Sequence, residues 1–244
     1  MIKKVSFTIS SILVIFLAWI LLYEVINHHI LFPSLGDTFS QIVTIFTNKS
    51  DILSILNTLL NVVITISISL VASLVLGFIA FKFSSFSYFI SPFILIFRTI
   101  PTISVLVIIP IIFGLRASPF VVSLLLLFPI MFQSVFDSLK QIDIKYQHLI
   151  KIDNPLFHKL LFELYLPLIK NSLTTTLFQV LGLAIKVTVM SEYLVQTTSS
   201  IGGNLYASKI YMQYDRVFAW TIILIVISAI FDIIPNVLKK HKTI

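Results

Sequence analysis

Long apolar runs without charged residues constrain this chain more than any other feature. Four such runs occupy residues 5–23, 52–81, 117–136 and 217–231. A helix needs roughly 20 apolar residues to cross the hydrocarbon core of a bilayer. Because unpaired backbone polar groups are costly in hydrocarbon, these runs are expected to be helical. The sequence therefore predicts an all-α polytopic membrane protein and excludes an ordinary soluble domain.

Two further runs contain internal charges. Residues 83–115 contain Arg98, and residues 164–194 contain three charged side chains, Lys170, Lys186 and Glu192. Together with the charge-free runs they predict about six spans in a single transmembrane domain covering residues 1–244. No small-residue cleavage site follows the first run, so we predict that it is an uncleaved anchor.

The basic residues are distributed unequally between the predicted loops. With the N-terminus inside, the outer segments hold only Lys49, Arg116, Lys209 and Arg216. The inner segments hold ten, Lys3, Lys4, Lys82, Lys140, Lys145, Lys151, Lys159, Lys239, Lys240 and Lys242. Cytoplasmic loops carry an excess of Lys and Arg, so both termini are predicted to be cytoplasmic. The net charge of +7 then needs no nucleic-acid partner.

Residues 28–51 form an outer segment of different character. The apolar side chains of this segment recur at helical spacing, at Phe39, Ile42, Val43 and Phe46. This spacing predicts an amphipathic helix on the outer surface, in contact with membrane lipid.

Residues 137–163 form the most charged segment and are predicted to lie in the cytoplasm. An apolar stripe at i, i+4, i+7 and i+8 predicts a helix with one apolar face, formed by Ile142, Tyr146, Leu149 and Ile150. That helix must end before Pro155, and Asn154 can cap a second helix that begins there. We predict that this helix, corner and helix dock a soluble partner; the alternative is a solvated loop tethered by its apolar face.

Short motifs also occur in a fixed order from about residue 32 to residue 235. They are Phe32-Pro33-Ser34, Arg98-Thr99-Ile100-Pro101, Phe128-Pro129-Ile130, Gly182-Leu183-Ala184, Glu192-Tyr193-Leu194, Ile201-Gly202 and Val217-Phe218-Ala219 with Asp232. In order and spacing they resemble the permease subunits of binding-protein-dependent ABC importers. The resemblance is to the branch that moves sulfonates, taurine, nitrate and vitamin precursors.

The cytoplasmic segment resembles this family's Glu-Ala-Ala loop in spacing more than in letters. Leu166-Pro167 matches the end of the family pattern, which places Asn154 at the family's glycine. His148 then stands where the family has Glu. The resemblance implies that six residues couple the chain to an ATPase, namely Tyr146, His148, Leu149, Ile150, Asn154 and Pro155.

The resemblance also implies partners and a location. They are a cytoplasmic ATP-binding cassette ATPase dimer, an extracytoplasmic substrate-binding protein and a second permease copy, in the plasma (inner) membrane of a bacterium. The chain has no Gly-Lys-Ser/Thr phosphate loop, and its only adjacent glycines are Gly202 and Gly203. It is therefore predicted not to be an enzyme and to bind no cofactor, with ATP and Mg on the partner.

Two other functions remain open at this point. An ion-driven secondary transporter is disfavoured because the chain shows no inverted hydropathy repeat and few paired intramembrane carboxylates. A non-transporting membrane assembly factor could recruit a partner through the same cytoplasmic loop.

Lys186 is the sharpest candidate for the transport pathway. It lies well inside the run 164–194, where the resembling family has an aliphatic residue, and a lysine at the bilayer centre costs about 2.5–3.5 kcal/mol. We predict that Lys186 faces the pathway and meets an anionic group of the substrate. The alternatives are a structural partner, Glu192 or Asp232, or an amine that snorkels to the interface.

Arg98, Pro101 and Glu192 complete the predicted pathway residues. For Arg98, binding to a lipid phosphate is favoured over gating. Prolines such as Pro101 free backbone carbonyls that neighbouring helices or a water-lined cavity must satisfy. Glu192 is expected near the outer end of its span, solvated by water. The pair His28-His29 fits an outer interface better than a metal site, so no metal is predicted.

Overall fold

A computed structural model describes residues 2–26, 28, 31–142 and 160–240 of the chain. Its side chains are described for residues 10–11, 13–26, 28, 31–142 and 163–231. Throughout these ranges the regular elements are helical. They are α1 (Ile2–Ile26), α2 (Leu35–Thr47), α3 (Lys49–Lys82), α4 (Ser84–Thr99), α5 (Thr102–Lys140), a π-helical turn (Leu160–Tyr165), α6 (Leu166–Leu194), α7 (Ile201–Ile210) and α8 (Tyr214–Lys240).

Four of the described helices are long and apolar enough to cross a membrane. They are Lys49–Lys82, Thr102–Lys140, Glu163–Leu194 and Tyr214–Phe231, and Leu13–Ile26 is a shorter apolar helix. The all-α polytopic fold is thereby confirmed.

Side-chain contacts fix the directions of the long helices. The hydroxyls of Ser123 and Thr188 bond at 2.9 Å, and those of Ser134 and Thr176 also bond, so α5 and α6 are antiparallel. α3 runs beside the second part of α5 in the same direction, since Ser73 Oγ donates to Phe128 O at 3.3 Å and Gly77 abuts Val135.

The bundle therefore has two distinct ends. α3 and α8 begin at the end that also carries α7, because Arg216 at the start of α8 contacts Asp51 at the start of α3. We call this the α7 end. The opposite end, where α3 and α5 finish at Lys82 and Lys140, leads into the charged segment, and we call it the loop end. The basic-residue asymmetry predicts that the loop end is cytoplasmic.

A stripe of small and hydroxyl side chains lets α3 lie close to α5 and α6. The stripe recurs at helical spacing and is buried at Ser54, Thr58, Thr65, Ser69, Ser73 and Gly77. A Cβ added at Gly77 would lie 2.8 Å from Val135 Cγ1, so nothing larger than glycine fits there without movement. Small residues of this kind let membrane helices approach each other closely.

α2 confirms a helix in the outer segment, with Ser34 Oγ accepting from Asp37 N at 3.1 Å as an N-cap. Its buried side chains are Thr38 and Ile45, and Ile45 packs with the first turns of α8. Most of the predicted apolar stripe faces outward instead, and Phe39 is 68% exposed. That apolar face is available to lipid.

The prediction of one span over residues 83–115 is wrong. α4 ends at Thr99, Ile100 and Pro101 are extended, and α5 begins at Thr102. A residue that precedes proline is disfavoured in the helical region, which accounts for the break at Ile100.

A second break lies at Gly114, with φ 77° and ψ 164°. Val105 and Val122, on opposite sides of this corner, belong to one apolar cluster with Val187 of α6. In a straight helix these two valines would stand about 26 Å apart. The first part of α5 therefore folds back toward the second part.

We predict that Gly114→Ala destabilises the fold. There is room for the added methyl group, since no atom lies within 4 Å of it, so the cost comes from the backbone angles alone. These angles are essentially restricted to glycine, and strain of this kind costs about 1–3 kcal/mol. Thermal unfolding of the detergent-purified chain should show a midpoint several degrees lower.

Gly36→Ala is the matched control, because Gly36 lies in the first turn of α2 with only Ser34 Oγ nearby, at 3.6 Å. It should leave the midpoint unchanged or raise it slightly. Equal midpoints for the two variants would mean that the corner at Gly114 is not formed.

Candidate functional site

The exposed face of α6 contains polar side chains inside a membrane-spanning helix, unlike the exposed face of α3. From Ser172 onward its exposed positions fall on one helical stripe, Ser172, Gln179, Leu183, Lys186, Met190 and Leu194. We call this set the α6 stripe. Three of its members are polar, although α6 is apolar enough to span a membrane. Among the described residues, Ser172, Gln179 and Lys186 have no hydrogen-bond or ion-pair partner.

The exposed face of α3 provides the contrast. Between residues 53 and 75 its exposed positions are Leu53, Leu56, Leu60, Val63, Ile64, Ser67, Ile68, Val71 and Val75. The one polar member, Ser67, donates its hydroxyl to Val63 O at 2.8 Å. This face suits lipid. Polar side chains inside a membrane almost always face a bundle interior or a water-filled cavity, so the α6 stripe is the candidate functional surface.

Lys186 lies in a groove between α6, α7 and α8, with a volume of about 310 Å³. The groove is lined by Ile185, Lys186, Val189, Met190, Tyr193, Leu205, Leu224 and Ser228. Lys186 is the only cation in this lining, and the neighbouring polar groups are the hydroxyls of Tyr193 and Ser228. Whether the groove lines a pathway stays a prediction.

The two structural partners considered for Lys186 have different outcomes. Glu192 forms no ion pair with it, because six residues along a helix turn through about 600° and leave the two side chains on different faces. The side chain of Asp232 lies outside the described residues.

Glu192 instead belongs to a buried cluster that we call the Glu192 clamp, made of Glu192, Thr58, Ile201 and Gly202. The Thr58 hydroxyl lies 2.9 and 3.0 Å from the two carboxyl oxygens and donates to the carboxylate. Gly202 N–H donates to Glu192 Oε2 at 3.2 Å, and Ile201 N–H donates to Thr58 Oγ1 at 3.0 Å. The clamp joins α3, α6 and the first turn of α7.

The expectation that water solvates Glu192 is wrong, since this residue is 0% exposed. Protein donors replace water around the carboxyl. The carboxyl also lies at the first turn of α7, where the N–H groups of a helix have no intrahelical partner and can donate to it. A role for Glu192 in the pathway stays a prediction, but its described contacts are structural.

Gly202 and Gly203 make the clamp possible. A Cβ added at Gly202 would lie 2.5 Å from Glu192 Cβ and from Tyr193 N, so α7 can approach α6 only with glycine at this position. A second polar link closes the same end, where Arg216 Nη2 contacts both carboxyl oxygens of Asp51 at 2.7 Å.

Arg98 and Pro101 lie together at the break between α4 and α5, and both are exposed. Arg98 is in the last turn of α4, where a cation complements the helix dipole. Ile100 between them packs in the cluster that contains Val187, the neighbour of Lys186. The break therefore lies against the helix that carries the α6 stripe, while gating by Arg98 or Pro101 stays a prediction.

The predicted coupling residues Tyr146, His148, Leu149, Ile150, Asn154 and Pro155 lie outside the described residues. After these residues, the described chain resumes at Leu160. Tyr165 is the last residue before α6. The centre of its ring lies 5.3 Å from that of Phe78 and 5.6 Å from that of Phe81. These rings attach the start of α6 to the end of α3.

Sequence reasoning missed Thr58, Ser172 and Gln179. Thr58 lies in a charge-free run, and nothing in its neighbourhood along the chain distinguishes it from other hydroxyl residues of α3. Gln179 and Ser172 had a usable signal, since they stand one heptad and two heptads before Lys186, on the same face of the helix.

We predict that Glu192→Ala lowers stability. The change leaves the buried N–H of Gly202 without an acceptor, and an unsatisfied buried group costs about 1–3 kcal/mol. Purified protein should melt several degrees lower, and α7 should become more accessible to protease. The control is Glu163→Ala, which removes an exposed carboxylate just before α6 and should not change the melting temperature. If both variants melt like the parent, the clamp contributes nothing.

Comparison with known proteins agrees with the resemblance found in the sequence. The family model described as binding-protein-dependent transport system inner membrane component matches residues 69–243. No curated protein matches the chain significantly. The family match covers well over half of the chain and includes α4 to α8 with the α6 stripe, the break at Pro101 and the Glu192 clamp apart from Thr58. The chain therefore belongs to the family of inner membrane components of binding-protein-dependent transport systems.

Proposed function

We propose that this protein is the permease subunit of an ATP-driven ABC importer. Two copies would form the membrane pathway for a small solute that an extracytoplasmic binding protein delivers. The observation that carries the proposal is the α6 stripe, because its polar side chains find no partner among the described residues. A second copy facing the same stripe would enclose them in a cavity and remove their exposure to lipid.

The continuity of α6 supports a coupling mechanism. The π-helical turn Leu160–Tyr165 runs directly into α6, so a force applied to the preceding cytoplasmic segment reaches the α6 stripe through one helix. In this proposal the partner ATPases bind ATP and Mg, close together, and displace the segment that contains Tyr146 to Pro155. Closure at such an interface can rotate the attached helices as rigid bodies.

The aromatic contacts at the loop end extend this movement to a second helix. The Tyr165 ring packs edge-on against Phe78 and Phe81 of α3. α3 and α6 are also joined at the α7 end by the Glu192 clamp. With both ends attached, these two helices are expected to move together.

The proposed orientation puts the α7 end outside and both termini in the cytoplasm of a bacterial cell. Because the chain contains no cysteine, single cysteines report topology without background. Met212 is 67% exposed beyond α7, and Gln141 is exposed at the end of α5. In intact cells a membrane-impermeant maleimide should label Met212→Cys at once and Gln141→Cys only after permeabilisation. The reverse pattern would invert the topology.

The docking assignment is tested on the predicted coupling helix. Leu149→Asp places a charge on its apolar stripe and should abolish copurification of the co-expressed ATPase while the chain still inserts in the membrane. Gln147→Asp adds the same charge on the predicted polar face and is the matched control, so it should retain the ATPase. Equal copurification with both variants would argue against docking through this stripe. Uptake that proceeds without any ATPase would favour an ion-driven transporter.

A further inference from the structure

The first part of α5 lies between two breaks in the backbone. It comprises residues 102–113, which we call the α5 flap, between the extended Ile100 and Pro101 and the corner at Gly114. Among the described residues no backbone hydrogen bond crosses the first break, because Ile100 N–H donates back to Ile96 O and Pro101 O accepts from residues that follow it. Glycine at the second break has the widest range of backbone angles. Both ends of the flap are therefore suited to act as hinges.

The α5 flap has no polar attachment to the other described residues. Its polar side chains are Thr102 and Ser104, and neither forms a hydrogen bond with a described residue. The second part of α5 differs, because the hydroxyls of Ser123 and Thr188 bond it to α6 at 2.9 Å. The two parts of one helix are thus held in place by different kinds of contact.

One face of the flap is buried, and it lies on a surface that we call the seat, formed by Val122 of the second part of α5 and Val187 of α6. The buried side chains of the flap are Val105, Leu106 and Ile109. Apolar contacts have no preferred direction. The flap can therefore leave the seat without breaking a hydrogen bond between side chains.

An apolar cavity of about 170 Å³ lies between the flap, the end of α4 and the second part of α5. Its lining consists of Phe97, Ile100, Val105, Ile108, Ile109, Leu125 and Leu126. An apolar cavity of about 150 Å³ in a protein core stays dry. Side chains that border such a cavity lose the contacts that packed neighbours would give them. The flap is therefore held less firmly than a helix that is packed on its whole buried face.

We propose that the α5 flap is a movable part of the pathway wall, which leaves its seat and returns to it while the hydrogen-bonded helices stay together. Its departure uncovers Val187 on α6, the residue next to Lys186 of the α6 stripe. The movement is a property of the chain alone, and its use in transport rests on the proposed permease function.

The reactivity of a single buried cysteine tests the movement, since the chain contains no native cysteine. Leu106 of the flap and Val62 of α3 are each 2% exposed. They stand at similar heights, because Val62 is one turn from Thr58, which bonds Glu192, and Leu106 packs with Val187. In the purified chain we expect N-ethylmaleimide to modify Leu106→Cys at least about tenfold faster than Val62→Cys, because local opening exposes only the flap.

Two further variants make the result specific to the flap and its cavity. Leu126→Phe places a larger side chain in the cavity and adds contacts to the flap. It should slow the reaction of Leu106→Cys to the rate of Val62→Cys and leave Val62→Cys unchanged, and Leu125→Phe repeats the test from a second position in the lining. Val122 is 0% exposed on the seat, so Val122→Cys should react together with Leu106→Cys.

Three outcomes would overturn the inference. Equal rates for Leu106→Cys and Val62→Cys would mean that the two breaks are static kinks. Fast reaction of Leu106→Cys with an unreactive Val122→Cys would mean that the flap unwinds locally and does not leave its seat. A fast rate that neither phenylalanine variant slows would mean that the cavity has no part in the movement. These rates are measured without an ATPase, so failure of the permease function would appear separately, as loss of ATPase copurification in the parent chain.

Discussion

A polar group in hydrocarbon must find a partner, and this constraint decides most of the described architecture. The hydroxyls of Ser123 and Thr188 satisfy each other between α5 and α6, and Thr58 and Gly202 satisfy the carboxyl of Glu192. Each of these bonds ties two helices together at a defined height in the bundle. The polar members of the α6 stripe are exceptions, because they are exposed and have no partners in the described chain. This departure from the constraint is what makes the stripe the candidate functional surface.

One helix therefore carries two ionisable side chains in opposite settings. Glu192 points into the bundle and closes the α7 end, whereas Lys186 lies on the exposed face in a groove. Their separation of six positions places the two side chains on different sides of α6. Because a helix is stiff over so short a length, the position of the lysine is fixed relative to the clamp. The clamp then acts on the proposed pathway indirectly, by setting how α6 sits against α3 and α7.

The sequence predicts the fold class and the long helices well. The length of an apolar run is a local property of the sequence, and it decides whether a helix is long enough to cross the bilayer. It predicts the clamp poorly. Thr58 and Glu192 are separated by 134 positions, and neither carries a local sign of the other. The helix breaks within residues 83–115 are an intermediate case. Pro101 and Gly114 mark the breaks in the sequence, but the length and hydropathy of the run favour a single span. Lys186 stands out in the sequence because a lysine inside an apolar span has a free-energy cost. Its exposure and the groove around it depend on how α6, α7 and α8 pack.

The polar bonds are unevenly distributed, and this divides the bundle into two mechanical parts. α3, the second part of α5, α6, α7 and α8 are linked by side-chain bonds and by the Asp51–Arg216 ion pair. α4 and the first part of α5 are attached through apolar clusters, where Ile94 packs on Phe132 and Val105 lies in the cluster with Val187. Among the described residues, the side-chain hydrogen bonds of α4 stay within that helix, as at Ser91 and Thr99. Apolar contacts have no preferred direction, so small sliding along them breaks no hydrogen bond.

The boundary between the two parts passes beside Val187, next to Lys186. We expect movement driven from the loop end to change the surroundings of that lysine first.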